Sequence, residues 1–394
     1  MPISGEVAIV GVGVTPFGVL HDRSYLDLIA ESSHAALADA GLGVADLEAA
    51  WLGTAEPLLA GLVGDSGAAV SEALRMRGRP VSRVSNFCTS GMEAVRHAAM
   101  AVAAGEHEIV LAVGAEKMRD VTPRESLVAK TANHTHPVLS KGRTAPGQFA
   151  LLANRYLHTY GYDVETIAQV SVKNHEHATR NPKAHFRKAV TLDEVLSAPR
   201  IADPLGVLDC TPTTDGGAAV IVTTRAWAER NARRYAIIEG VGLAGVDGYF
   251  AMHYREHNDF LGFEATRAAA AMAYRQAGID DPRAQLDLVE CHDCFTITEI
   301  LNTEDLGLAA PGEGGKLLQS GATSAGGDIP VNLSGGLQSC GHPVGATGVR
   351  MVAEIVDHVT GEAGERQVPG ARRGLAHTLG GPGAVSCVMV VGAP

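Results

Sequence analysis

The chain has 394 residues, with 32 Lys and Arg against 44 Asp and Glu, a net charge of −12, and 46% apolar residues. A length beyond what one hydrophobic core usually reaches predicts two or three lobes. The acidic balance disfavours nucleic acid as the main partner, leaving room only for a local basic groove towards a phosphorylated substrate. No run approaches the ~18 uninterrupted apolar residues of a spanning helix, so no membrane association is expected.

The opening MPISGEVAIVGVG runs straight into an apolar strand without a basic leader, and no secretory signal is expected. The closing VVGAP is not a peroxisomal address. Six cysteines (Cys88, Cys210, Cys291, Cys294, Cys340 and Cys387) are too sparse in so long a chain to be a disulfide framework. A reducing cytoplasm is the expected compartment.

In chain order, EVAIVGVGVTPFG reads as a buried strand with a glycine-rich exit, and SYLDLIAESSHAALADAGL as a helix stopped at Gly41. DLEAAWLGTAEP gives a short strand, VSRVSNFC a third, and SGMEAVRHAAMAVAAGE a helix with Met92, Val95, Ala99 and Val102 on its apolar stripe. HEIVLAVGAEKM supplies the next strand. The alternation predicts an α/β layer with a mostly parallel sheet. From Arg119 to Val207 the texture turns polar, with helical runs at GQFALLANRYLHTYG and VETIAQVSVKNHEHA, and reads as an inserted helical lobe. DGGAAVIVTT returns to strand. The rhythm then restarts at RYAIIEGVGLAG, continuing through a helix (ATRAAAAMAYRQAG), a strand (LDLVECHDCF), the glycine-rich LSGGLQSCGHPVGATG and the closing HTLGGPGAVSCVMVV. Two halves of similar pattern suggest an internal duplication.

Cys88 stands at a junction of strand and helix. A free cysteine is usually a small buried hydrophobe. At a helix start, however, unpaired N–H groups and the helix dipole favour a thiolate and can hold an oxyanion. His342, between glycines and followed by Pro343 ahead of a helix, is the base type such a thiol needs. The glycines at 335, 336, 341, 345 and 348 would let backbone approach a ligand closely. His292, Asp293 and Cys294 follow an apolar strand directly, where open α/β folds place their ligands. There Cys294 can move protons and His292 can donate to a thioester or enolate oxygen. Strand alternation turns Cys291 to the other face.

Cys291-x-x-Cys294 with Cys340-x-His342 offers the ligand types of zinc, but the single residue between Cys340 and His342 is not a usual spacing. No metal is expected. The histidines at 134, 136, 175 and 177 fall in polar contexts and read as solvated. GVGVTPFG departs from a dinucleotide loop, since Pro16 sits where the phosphate-binding helix should begin. Cys210 and Cys387 read as structural.

These residues together resemble the thiolase superfamily, in particular its sterol-carrier-protein-associated type. The resemblance runs over nearly the whole chain. Its carriers are NFCTSGMEAV, GRTAPGQFALLANRYL, VKNHEHATRNPKAHFRK, ADPLGVLDCTPTTDGGAAV, HDCFTITEIL and SGGLQSCGHPVGATG. It implies two duplicated βαβαβαββ halves forming a five-layered α-β-α-β-α core with an inserted helical loop domain. On this chain that means an N-terminal half over 1–118 and 208–232, a loop domain over 119–207 and a C-terminal half over 233–394. The resemblance also implies a homodimer or a dimer of dimers.

It implies roles as well: Cys88 as the acylated nucleophile, His342 as its activator, His292 lining the oxyanion site and Cys294 as the second acid/base. The backbone N–H groups of Cys88 and Gly380 would form the oxyanion hole. Two departures stand out. Thr378 or a neighbour stands in the C-terminal loop where most degradative thiolases carry their second cysteine, and Cys340 sits beside the GHP turn either as a redox-sensitive thiol or as a simply tolerated one. The expected activity is acyl transfer between coenzyme A thioesters, by thiolysis of a 3-ketoacyl-CoA or condensation of acetyl-CoA. Coenzyme A is then a substrate, with no permanently bound cofactor. The alternatives are a thiolase-fold aldolase or acyltransferase subunit with an OB-fold zinc-ribbon partner, a non-catalytic acyl-CoA-binding subunit, and a zinc hydrolase.

Overall fold

The computed structural model describes residues 3–55, 66–122, 144–246 and 259–394. The strands in chain order are β1 (Val7–Val14), β2 (Ala49–Gly53), β3 (Val81–Val84), β4 (Ile109–Glu116), β5 (Arg200–Ala202), β6 (Leu205–Gly206), β7 (Gly216–Thr224), β8 (Ala236–Gly245), β9 (Leu288–Glu290), β10 (Arg373–Gly380) and β11 (Val385–Gly392). Nine of them form one sheet in the order β3-β2-β4-β7-β1-β8-β11-β10-β9, while β5 and β6 pair separately. Counted outward from the central β1/β8 pair, each side runs first strand, last strand, next-to-last strand, second strand. One side is therefore a repeat of the other. Where β3 would have its counterpart, Val331 makes a single parallel bridge to Val289 of β9.

Within the sheet the two sides join through the pairs Ala8↔Ile237 and Ile9↔Ala236 of β1 and β8, and helices pack between them. The helices that matter are α1 (Tyr25–Ala40), α2 (Ser90–Ala104), α3 (Ala145–Tyr160), α4 (Val164–Ala178), α5 (Glu264–Ala277), α6 (Thr296–Asp305), α7 (Gly336–Cys340) and α8 (Val344–Thr360). Helix α1 covers the outer face of the first side and α5 that of the second; α2 and α8 lie between them. This is the expected five-layered thiolase arrangement.

Strand periodicity explains the layers. On β4, Val110 and Ala112 enter the central core, while Leu111 and Val113 face α1. On β11, Cys387, Met389 and Val391 enter the central core, while Val388 and Val390 face α5. A strand buried on both faces reads as an unbroken apolar run, and both do. The sheet is mixed rather than mostly parallel. Among the described residues, β2 is parallel to β3 and β4, and β9 to β10, whereas β7, β1, β8, β11 and β10 pair antiparallel along the middle. For one of these pairs the reason is local: β10 and β11 are joined by a tight turn at Gly381–Ala384, which makes them a hairpin.

The described part of the segment 119–207 is mainly helical, with α3, α4 and the short helix Leu192–Ser197, followed by the paired β5 and β6. Tyr156 of α3 ties it to the second side, its hydroxyl donating to Glu304 at 2.6 Å, and Glu304 also accepts from the N–H groups of Gly312 and Gly314. His134 and His136 lie outside the described residues. His175 and His177, expected in solvent, are buried at 3% and 2% exposure on α4. The helix is covered on more than one face: His175 Nδ1 lies 2.9 Å from Ser171 O with its ring against Phe186, and His177 Nδ1–H donates to Asn332 O while its Nε2 accepts from Ala325 N. No helix among the described residues is long and apolar enough to cross a membrane.

Candidate active site

The chain leaves β3 through a tight turn before entering α2. Phe87 adopts φ +50°, a left-handed conformation that a bulky residue keeps only when its surroundings demand it. Here two hydroxyls hold it: Ser90 Oγ donates to Phe87 O and accepts from Asn86 N, and Thr89 Oγ1 donates to Asn86 O. Cys88 follows at once, half-buried at the mouth of α2.

His342 is brought to it by two glycines. A side-chain carbon at Gly91 would meet Gly345 O at 2.2 Å, and one at Gly345 would meet Gly53 O at 2.4 Å. The N-termini of α2 and α8 can therefore cross with only backbone between them. The glycines of the GHP region thus serve chain-to-chain packing and turns rather than the close approach to a ligand inferred from sequence: Gly336 lies against the Asp293 carboxylate and Gly341 against Thr214. Glu116, fully buried at the end of β4, completes the junction. Its carboxylate accepts from the N–H groups of Gly345 and Ala55 and from the Thr54 hydroxyl. A carboxylate there also complements the positive end of α8.

The outcome is a Cys88 Sγ–His342 Nε2 distance of 3.4 Å. The other ring nitrogen decides the proton's position. Thr347 Oγ1 donates to Pro343 O at 2.9 Å, so its lone pair faces His342 Nδ1 at 2.7 Å. Nδ1 therefore carries the hydrogen, and Nε2 turns a lone pair to the thiol. That is the tautomer a general base needs.

His292 stands where the chain leaves β9, its ring 5.3 Å from that of His342 and nearly perpendicular to it. Its backbone is clamped, the N–H donating to His377 Nδ1 and the carbonyl accepting from Asn302. Burial, with Arg350 nearby, pushes the imidazole down to about 3. An unfolded chain protonates this histidine near 6.5, so between these values the unfolded state holds the extra proton and folding stability rises with pH. His292→Asn is accordingly expected to flatten the pH dependence of the urea midpoint between pH 4 and 6.5, by up to ~1.4 kcal/mol per pH unit. An unchanged slope would show that His292 titrates normally.

Cys294 is 8% exposed, with Sγ 3.7 Å from the Thr298 hydroxyl. Burial raises its pKa well above the ordinary thiol value, and the Cys88 thiolate nearby adds to the effect. Burial thus favours the protonated thiol. Asp293 points the other way. It accepts from Leu337 N and Asn174 Nδ2, and burial together with the Glu299 carboxylate raises its pKa. Its role is to anchor the turn into α7. Gly380 on β10 backs the turn that carries Cys88, where a side-chain carbon would meet Phe87 Cβ at 3.1 Å and Asn86 O at 3.2 Å. The structure thus brings Cys88, His292, His342, Cys294 and Gly380 to one place at the meeting of the two sides.

Cys291 is buried in the core against α5, on the opposite face from Cys294, so the Cys291/Cys294/Cys340/His342 zinc arrangement does not assemble. Cys340 is 1% exposed and burial pushes its thiol up to about 11, the reverse of a redox-sensing cysteine. Thr378 is buried on β10 with its hydroxyl 3.9 Å from Met92 Sδ. Three contributors carry weak signals in the sequence: Thr347, five residues beyond His342; His377, before the final glycine turn; and Glu116, a lone acid ending an apolar strand. Neither Glu116 nor His377 announces its partners, since these come from other elements.

The N-terminal domain pattern of thiolases matches residues 7–226, and the pattern described as thiolase C-terminal domain-like matches residues 249–393. The chain is 40% identical over 385 residues to an acetyl-CoA acetyltransferase of Methanothermobacter thermautotrophicus, covering 98% of this chain and 99% of that one. It is 35% identical over 399 residues to sterol carrier protein 2 of Homo sapiens, covering 96% of this chain and 71% of that one. Among solved structures, an Ltp2-ChsH2(DUF35) aldolase superposes with a TM-score of 0.85 at 28% identity, covering 99% and 98% of the two chains. The Acat5 thiolase from Ascaris suum in complex with coenzyme A superposes at 0.72 and 18% identity, covering 99% and 100%, a likeness of fold.

Proposed function

Given that this chain belongs to the thiolase family and is an acyltransferase, we propose that it moves an acyl group between coenzyme A thioesters through an acyl-Cys88 intermediate. The observation that carries this reading is the oriented Nε2 of His342 at 3.4 Å from Cys88 Sγ. His342 takes the thiol proton, and the thiolate attacks the carbonyl of a 3-ketoacyl-CoA or acyl-CoA, with the N–H groups of Cys88 and Gly380 receiving the oxyanion. The tetrahedral adduct collapses, expelling either the enolate of acetyl-CoA, which Cys294 protonates, or free coenzyme A, to which His342 returns the proton. His292 and His342 hold the thioester oxygen as the enolate forms. A second coenzyme A substrate then accepts the acyl group. Coenzyme A enters and leaves as substrate, and no resident cofactor is required.

The test is a mass increment on the Cys88 peptide after incubation with acetyl-CoA or a 3-ketoacyl-CoA. Folded protein that forms no adduct with any of several thioesters would refute the mechanism. Cys294→Ala should keep that adduct while condensation or thiolysis collapses. Thr347→Val removes the acceptor that fixes the His342 tautomer without changing volume. It is expected to lower turnover by ~10²-fold, the low end of a general base's contribution, with a smaller effect on KM in steady-state assays.

A second reading, an aldolase acting on coenzyme A thioesters, is favoured by the 0.85 TM-score to the Ltp2-ChsH2(DUF35) aldolase. It would bring in a partner subunit with an OB-fold and zinc ribbon. An intact Cys88–His342 pair supports acyl transfer over it. The family resemblance supports a dimer or a dimer of dimers as the working unit, and six cysteines outside any disulfide suit a reducing cytoplasm.

A further inference from the structure

Cys88, His292 and His342 each offer one ligand atom, and these three atoms lie within 4.8 Å of one another. They come from three separate elements: the turn before α2, the exit of β9 and the turn before α8. A tetrahedral zinc ion, with bonds of about 2.3 Å to sulfur and 2.0–2.1 Å to nitrogen, places a thiolate and an imidazole ligand ~3.6 Å apart. The Cys88 Sγ–His342 Nε2 edge of 3.4 Å is already close to that length. The supporting contacts also match. His342 gives its Nδ1–H to Thr347, which is how ligating histidines are held, and directs Nε2 inward. His292 is 1% exposed, and its Nδ1 has no hydrogen-bond partner among the described residues. That buried ring contributes its ligand nitrogen to the same cluster.

We propose that Cys88, His292 and His342 form a three-ligand site for a soft divalent cation, zinc above all, with the fourth position open. One thiolate and two imidazoles, with no carboxylate among them, select zinc, cadmium or cobalt over magnesium and calcium. On binding, the Cys88 thiol proton leaves to solvent and a sulfur–metal bond replaces the S–H bond. The metal occupies the point at which Cys88 would attack, so it masks the nucleophile reversibly. This last consequence rests on the acyl-transfer reading; the binding does not.

Cobalt(II) titrated into chelator-treated full-length protein tests the site. One equivalent should bind per chain with the thiolate-to-cobalt charge-transfer band and the visible bands of tetrahedral coordination, and zinc should displace it. The charge-transfer band should vanish in Cys88→Ser and after iodoacetamide treatment of the wild type, which needs no new folding. Cys210→Ser should keep it. Thr347→Val should weaken cobalt binding by ~10- to 100-fold. A charge-transfer band that survives loss of Cys88, or folded wild type that binds no cobalt, overturns the proposal. Protein that binds cobalt but forms no acyl adduct retains the metal site and refutes acyl transfer; the reverse result refutes only the metal site.

Discussion

Cys88→Ser is expected to lower turnover by at least ~10⁴-fold, measured as coenzyme A release or consumption with a thiol reagent. Serine keeps the position, the helix N-terminus and the 3.4 Å neighbour His342, so the loss reports the chemistry of the atom alone. A hydroxyl is far less acidic than a thiol, and the same imidazole generates much less nucleophile from it. The acyl group on sulfur is a thioester, like the group on coenzyme A, and transfer in either direction is nearly level in energy. The ester on serine would be a trap. Removing a nucleophile from a catalytic unit costs on the order of 10⁶ in the best-measured case, and residues that act as a unit are far from additive. Cys88→Ser combined with His342→Asn should therefore cost little more than either change alone. Turnover of Cys88→Ser within tenfold of the wild type would mean that the acyl group is carried elsewhere or not carried at all.

Arg350→Met is expected to destabilise the protein by ~3–5 kcal/mol in urea unfolding. Arg350 lies on α8 at 2% exposure and pairs with Glu290 of β9 at 0% exposure. Ser334 bridges them, its N–H and hydroxyl donating to the Glu290 carboxylate and its oxygen accepting from Arg350. Loss of the arginine leaves a buried carboxylate without its counter-charge, which is the expensive case; the pair itself is not thereby shown to be stabilising, because two of the guanidinium nitrogens have no partner among the described residues. Glu290→Gln added to Arg350→Met should for this reason recover most of the loss. Activity should fall with the single change as well, since Ser334 leads into the turn before α7 and Glu290 stands two residues before His292. A single variant as stable as the wild type would show that Glu290 takes up a proton at little cost.

How far the site could be read from the sequence depended on whether its signals were local. The junction of β3 with α2, the polar triplet after β9 and the GHP turn before α8 all follow from strand period, helix period and glycine placement, and they single out Cys88, His292, Cys294 and His342. The mixed pairing of the sheet did not follow, because an apolar strand reads alike whether its neighbour runs parallel or antiparallel. Burial of His175 and His177 did not follow either; α4 shows a polar composition, and only its packing reveals that His177 is satisfied by Asn332 and Ala325 and that His175 turns back to Ser171 on its own helix.

The sequence by itself determined the layered α/β halves, their repeated order and the residue types at the ends of β3, β9 and the glycine-rich turns, since these depend on interactions within a few residues or on one period. The tertiary structure alone decided that α2 and α8 cross at Gly91 and Gly345, close enough to set Cys88 Sγ 3.4 Å from His342 Nε2. It alone decided that Thr347 points that nitrogen at the thiol, and that burial keeps His292 neutral and Cys294 protonated. Cys88 and His342 stand 254 positions apart in the chain, and no local pattern encodes a contact of that kind.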